Sequence, residues 1–100
     1  MQFEVTSKDG KKVRVTEAYW NFIITLKHPT MTGKENLAMK TLADPDEIRQ
    51  SSRDKSVFLY YKKQDAYWAC VVCKHLNGEG FIITTYITDR IKEGNRVWKK

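Results

Sequence analysis

One hundred residues, 41% hydrophobic and 12% aromatic, suffice for a single folded domain over residues 1–100 with a modest core, which excludes a disordered tail. Eighteen Lys and Arg against 12 Asp and Glu leave a formal charge of +6, so a polyanion is a fitting partner. No apolar run reaches the about 18 residues that cross a bilayer, and Met1–Val5 lack a basic segment followed by an apolar one; no membrane span or secretory signal is expected, and the expected location is the cytoplasm.

In chain order, Phe3–Thr6 and Val13–Thr16 alternate apolar and polar residues around Asp9-Gly10, a strong turn pair, which predicts a hairpin over residues 2–16. Thr16 is the candidate N-cap of a following helix, although the acid that would complete a capping box is missing. Trp20, Ile23, Ile24 and Lys27 keep helical spacing, and the helix should stop near Lys27 or His28 because the residue before Pro29 avoids helical dihedrals. Pro29–Gly33 reads as a turn or loop and residues 34–43 as a second helix, ended by Asp44-Pro45-Asp46. Glu47–Ser52 looks extended and polar. Val57–Tyr61 is a clear strand, Lys62–Asp65 a turn, and residues 67–74 a strand. His75–Gly80 reads as a turn rich in Gly and Asn. A last strand starts at Phe81, and a basic tail places Arg96, Lys99 and Lys100 around Trp98. Four consecutive strands joined by short loops predict an α+β domain in which the N-terminal hairpin and two short helices pack on one face of a four-stranded antiparallel sheet.

Cys70 and Cys73 have a spacing known from zinc and redox sites. On a strand, positions three apart project to opposite faces, so neither a disulfide nor shared metal coordination is expected, and both read as reduced, buried thiols. No metal and no cofactor is expected.

The same parity governs the last strand. Thr84 and Tyr86 share one face, while Ile83, Thr85 and Ile87 share the other. A hydroxyl and a phenol side by side suit a phosphate or a nucleophile, or are structural hydroxyls satisfied within the fold. His28, titrating near pH 6.5, suits general acid or base work, or is a surface histidine favoured by the helix dipole. Arg49 lies on an extended segment with Ser51, Ser52 and Arg53; its guanidinium suits phosphate oxygens, or it is an ordinary charge on a solvated edge. Tyr60 and Tyr61 project to opposite faces, so one reaches the site surface and the other is core. Lys62, Lys63 and Lys74 flank turns. Trp20, Trp68 and Trp98 read as packing.

Trp20-x-x-Ile23, Lys27-His28-Pro29, Asp44-Pro45-Asp46-Glu47-Ile48, Leu59-Tyr60-Tyr61-Lys62 and Phe81-Ile82-Ile83-Thr84-Thr85-Tyr86 follow one another over roughly residues 13–98. In that order they resemble the barnase–EndoU–colicin–RelE nuclease superfamily, closest to its uncharacterised phage- and toxin-associated branches. Thr85 stands where the related pattern carries Ala. The resemblance implies helices on a four-stranded antiparallel sheet and metal-independent cleavage of RNA by a toxin held by an antitoxin encoded nearby. In such a mechanism RNA supplies its own 2′-hydroxyl nucleophile. His28 is expected to act as general acid or base, Arg49 to hold the scissile phosphate with Arg53 or Lys62, and Thr84 and Tyr86 to donate hydrogen bonds or orient the imidazole. Arg53, Lys62, Lys63 and Tyr61 are the expected RNA-binding residues. The alternative is a non-catalytic nucleic-acid-binding module or a protein-interaction domain of the same fold.

Overall fold

The computed structural model describes residues 2–100; Met1, the first residue of the signal-peptide reading, lies outside them. β1 (Phe3–Thr6) and β2 (Lys12–Val15) form the hairpin around Asp9-Gly10. Thr16 caps α1 (Glu17–Phe22), its hydroxyl accepting from the Tyr19 amide. The helix continues as a π-helical stretch, Ile23–Lys27, closed by the bond from the His28 amide to the Ile23 carbonyl at 2.7 Å. It ends there because Pro29 holds its predecessor out of helical dihedrals. A short 3₁₀ turn, Pro29–Met31, leads to α2 (Glu35–Ala43). The strands β3 (Glu47–Gln50), β4 (Val57–Gln64), β5 (Tyr67–Leu76), β6 (Glu79–Thr88) and β7 (Asn95–Lys99) follow.

All seven strands join one sheet in the order β1-β2-β6-β5-β4-β3-β7. β2 pairs with β6 in parallel over Lys12–Arg14 and Glu79–Phe81, while the other pairs are antiparallel. This overturns the expected four-stranded antiparallel sheet: the architecture is α+β with two α-helices, but the sheet is seven-stranded and mixed. The physical reason is that the hairpin must satisfy its second ladder, and it does so on the outer edge of β6. Short polar segments at the far side, Glu47–Gln50 and the basic tail, become β3 and β7; β3 is paired on both sides, and β7 is the edge strand, where polar and charged composition is what an edge demands.

The two faces differ. On the inner face, helices cover a core of Val13, Trp20, Ile23, Met31, Leu42, Tyr60, Val71, Cys73 and Ile82, with Phe3 meeting the Trp20 ring edge-on at 5.6 Å. The outer face carries a smaller cluster of Leu59, Tyr61 and Cys70, joined by Trp68, Val72, Tyr86 and Ile91. Cys70 and Cys73 are therefore free thiols buried on opposite sides of the sheet. β2 covers only the first part of β6. Beyond it the edge is met by α1, where the Tyr19 hydroxyl donates to the Ile83 carbonyl at 2.8 Å. Ile83 itself is skipped in the register, because Val72 pairs Thr84 and Cys73 pairs Ile82; this bulge takes it out of the alternation expected for it. Among the described residues no helix is long and apolar enough to cross a membrane.

Candidate functional site

Strand parity places Thr84, Tyr86 and Thr88 of β6 on the outer face, in line with Val72 of β5 and Tyr61 of β4. His28 arrives from the end of the π-helical stretch, with φ −140° and ψ 77°, and its ring lies tilted against Tyr86 with centroids 5.3 Å apart. The segment after β6 then folds back over this face. Its Ile91 packs into the outer cluster, the Thr88 hydroxyl donates to the Arg90 carbonyl at 3.1 Å, and Arg49 Nη1 donates to the Gly94 carbonyl at 3.1 Å. Arg90, Lys92 and Glu93 of that segment complete a cleft of about 460 Å³ with His28, Tyr61, Val72, Thr84, Tyr86 and Thr88.

Burial, then the neighbouring Lys27, lowers the pKa of His28 below its ordinary value, so the resting imidazole is neutral at pH 7. Burial first, then the adjacent Cys70, raises the phenols of Tyr61 and Tyr86, which stay protonated and able to donate. The Cys70 thiol is itself pushed up to about 12 by burial and is no nucleophile at neutral pH. Thr84 Oγ1 is buried and has no hydrogen-bond partner among the described residues. Leaving such a buried hydroxyl unpaired costs about 1–3 kcal/mol. Thr85 is the opposite case: it faces the inner side, fully buried, and its hydroxyl donates to the Cys70 carbonyl at 2.7 Å.

Of the expected site residues, His28, Thr84, Tyr86 and Tyr61 meet in this cleft. Arg49 projects to the same face two strands away from β5, but its Nε donates to Glu47 Oε2 at 2.6 Å, and Glu47 is buried. It is a structural ion pair that holds the returning segment. Lys62 alternates to the inner side and bonds Asp44, its ammonium 2.9 Å from the Asp44 carbonyl oxygen. Lys63 lies over the Trp68 ring at 5.0 Å and lines no cleft with His28. Arg53 lines a neighbouring cleft. Arg90, Lys92 and Glu93 were not anticipated. Their signal was faint: a single apolar residue, Ile91, inside the charged run Asp89–Glu93, which marks a segment that folds back.

His75 departs from its expected place at the start of a turn. It lies within β5, and the turn shortens to Asn77-Gly78, both at positive φ, as a two-residue hairpin requires. Its ring stacks on Phe58 at 4.2 Å, and its Nε2 is 2.9 Å from the Tyr60 hydroxyl, which donates to Asp9 Oδ1 at 2.6 Å. Ser7 donates to the same carboxylate oxygen at 2.6 Å. Burial pushes the Asp9 carboxyl up, but the bonds from Ser7 and Tyr60 outweigh it and leave the pKa lowered. Burial lowers His75, Asp9 pulls it back up, and Lys11 lowers it further; the net direction is down.

A pH dependence of stability follows. Both histidines have lowered native pKa values, so between their ordinary value of about 6.5 and their native values the unfolded chain binds more protons. Their contribution is complete above about pH 6.5 and is lost as pH falls through that window. Asp9, lowered from a far more acidic starting point, adds nothing to the change there. Urea midpoints should fall from pH 8 to pH 5, and less steeply in His75→Gln, which does not titrate. A midpoint that rises on acidification contradicts this assignment.

No family model matches this chain, and no curated protein or solved structure compared with it does so either.

Proposed function

We propose that the chain is a metal-independent endoribonuclease that cleaves RNA by attack of a 2′-hydroxyl on the adjacent phosphate. The observation that carries this reading is the convergence, in one cleft, of a neutral imidazole, two protonated phenols, the unpartnered Thr84 hydroxyl and two cations. These are the parts that the reaction needs. The neutral His28 takes the 2′-hydroxyl proton. Arg90 and Lys92 offset the charge that develops on the phosphorane, replacing the expected Arg49 and Lys62 in that role. Thr84 and Tyr86 hydrogen-bond the non-bridging oxygens. The leaving 5′-oxygen takes its proton from water, and the imidazolium formed on His28 returns its own to solvent.

A toxin role, a cytoplasmic location and a protein antitoxin encoded nearby belong to the same proposal. Supporting the last, Tyr19, Phe22 and Leu26 leave large apolar side chains exposed along one side of the first helix, with Leu26 72% accessible.

The purified protein is expected to cleave single-stranded RNA in EDTA and to leave 2′,3′-cyclic phosphate ends. Activity that vanishes on chelation and returns with magnesium sinks the mechanism, and no cleavage of any RNA shifts the reading to a binding module. A second expectation separates the two threonines. Tyr86→Phe and Thr84→Val should slow cleavage, and Thr84→Val should not destabilise the fold, because it deletes a hydroxyl that has no partner. Thr85→Ala should keep the rate while losing a buried hydrogen bond, at a cost of about 1–3 kcal/mol in denaturant unfolding. Loss of cleavage in Thr85→Ala with a silent Tyr86→Phe would reverse the faces.

A further inference from the structure

The pairing of the arginines divides them into two groups. Arg14 lies 2.6 Å from Glu79, Arg49 2.6 Å from Glu47 and Arg96 3.7 Å from Glu47. Arg53 and Arg90 have no carboxylate partner among the described residues, and these two line the two adjoining clefts of the outer face. Arg90 belongs to the cleft with His28. Arg53 belongs to a more polar one of about 410 Å³, formed with Ser51, Ser52 and Leu59, and with Lys92 and Glu93, which line both. Lys92 also lacks a carboxylate partner among the described residues. Two unpaired guanidiniums with a shared ammonium are what two successive anionic groups would meet.

The sheet aligns the clefts. Thr84, Val72 and Leu59 are directly paired across β6, β5 and β4, so the line from the first cleft to the second runs perpendicular to the strands over roughly 10 Å, two strand spacings. The second end of that line is held by local geometry. Ser51 Oγ accepts from the amides of Arg53 and Asp54 at 3.2 and 3.4 Å, which sets the turn that presents Arg53. Gly94 has φ 79°, and a Cβ there would meet the Gln50 carbonyl oxygen at 2.8 Å, so a glycine lets the returning segment sit close against the end of β3. Between the cationic ends the floor is apolar and aromatic, with Leu59, Val72, Tyr61 and Tyr86. Such a floor suits unstacked bases better than a duplex.

We infer that the second cleft seats the phosphate of the neighbouring nucleotide, so that the chain grips two consecutive phosphates of a single RNA strand laid across β6, β5 and β4. This rests on the reading of the first cleft as the cleavage site. Arg90 meets the scissile phosphate, Arg53 the next one, and Lys92 stands between them.

The test is binding of short oligonucleotides with 2′-deoxy sugars, which cannot be cleaved by this route, measured by fluorescence anisotropy on the full chain. A trinucleotide with two internucleotide phosphates should bind about tenfold more tightly than a dinucleotide with one, as one more charge-assisted contact predicts. Arg53→Ala should abolish that gain and leave dinucleotide affinity unchanged, Arg53→Lys should recover part of it, and Arg90→Ala should weaken both ligands. Equal weakening of both ligands by Arg53→Ala, or no gain from the second phosphate, overturns the inference. The ribonucleotide versions report on the other reading separately. If they are not cleaved while the length-dependent gain and its loss in Arg53→Ala persist, the two-phosphate groove stands and the nuclease assignment falls.

Discussion

His28→Ala is expected to slow RNA cleavage by about 10²–10⁴-fold, the usual contribution of one positioned acid or base. The imidazole touches the fold mainly through the Tyr86 ring, so the loss of stability should stay within about 1 kcal/mol, the scale of one aromatic contact. The rate of the unmodified protein should carry the mark of a neutral base. The pKa of His28 is lowered by burial and by Lys27, so kcat/KM should climb with pH below about 6.5 and level off above it. His75→Ala should show the reverse pattern. It leaves the rate alone, because His75 lies on the inner face, and lowers the melting temperature, because Tyr60 and Phe58 lose their partner. Single-turnover rates together with thermal melts of both variants decide the matter. Comparable rate losses at the two histidines would remove His28 from its role.

Tyr60→Phe should be among the most destabilising conservative changes in the chain, at about 2–4 kcal/mol. The phenol is buried and serves two groups at once, donating to the Asp9 carboxylate and bonding His75 Nε2. A hydrogen bond to a charged group contributes about 1.5–3 kcal/mol, and each partner left unsatisfied adds its own desolvation cost. The damage should spread beyond β4. Asp9 sits at the tip of the β1–β2 hairpin, whose Lys8 amide also bonds the Leu42 carbonyl of α2 at 2.8 Å, so Tyr60 ties the hairpin tip to the sheet centre. Tyr61→Phe offers the control. The adjacent phenol is also buried but faces the cleft on the other side of the sheet, so its loss should register in RNA affinity or rate more than in stability. Urea unfolding of the pair would show this, and a Tyr60→Phe cost below about 0.5 kcal/mol, the range of ordinary surface changes, would contradict the network.

The contrast between those two tyrosines marks the border between local and tertiary information. That Tyr60 and Tyr61 face opposite ways, that Thr84 and Tyr86 face together, and that Cys70 and Cys73 point apart all follow from the two-residue period of a strand. The stop at His28 follows from Pro29, and the cap at Thr16 from its hydroxyl. These were readable because each depends on a few consecutive residues. What was not readable depends on pairing between distant segments. The parallel contact of Lys12–Arg14 with Glu79–Phe81 adds the hairpin to the sheet, and no local pattern announces it. β7 reads as a polar stretch because it is an edge strand, and β3 is a short polar segment whose place between β4 and β7 is set by pairing with distant residues. Arg49, Arg53 and Arg90 look alike in sequence, each an arginine among charged or hydroxyl neighbours. Which of them is spent on a carboxylate is settled by register. Glu47 lies two residues before Arg49 on the same face of β3, while the fold brings no carboxylate to Arg53 or Arg90 among the described residues. Local chemistry determined which side chains could share a face. Only the tertiary structure decided which charges were already neutralised, because a Coulomb interaction depends on distance in space and not on separation along the chain.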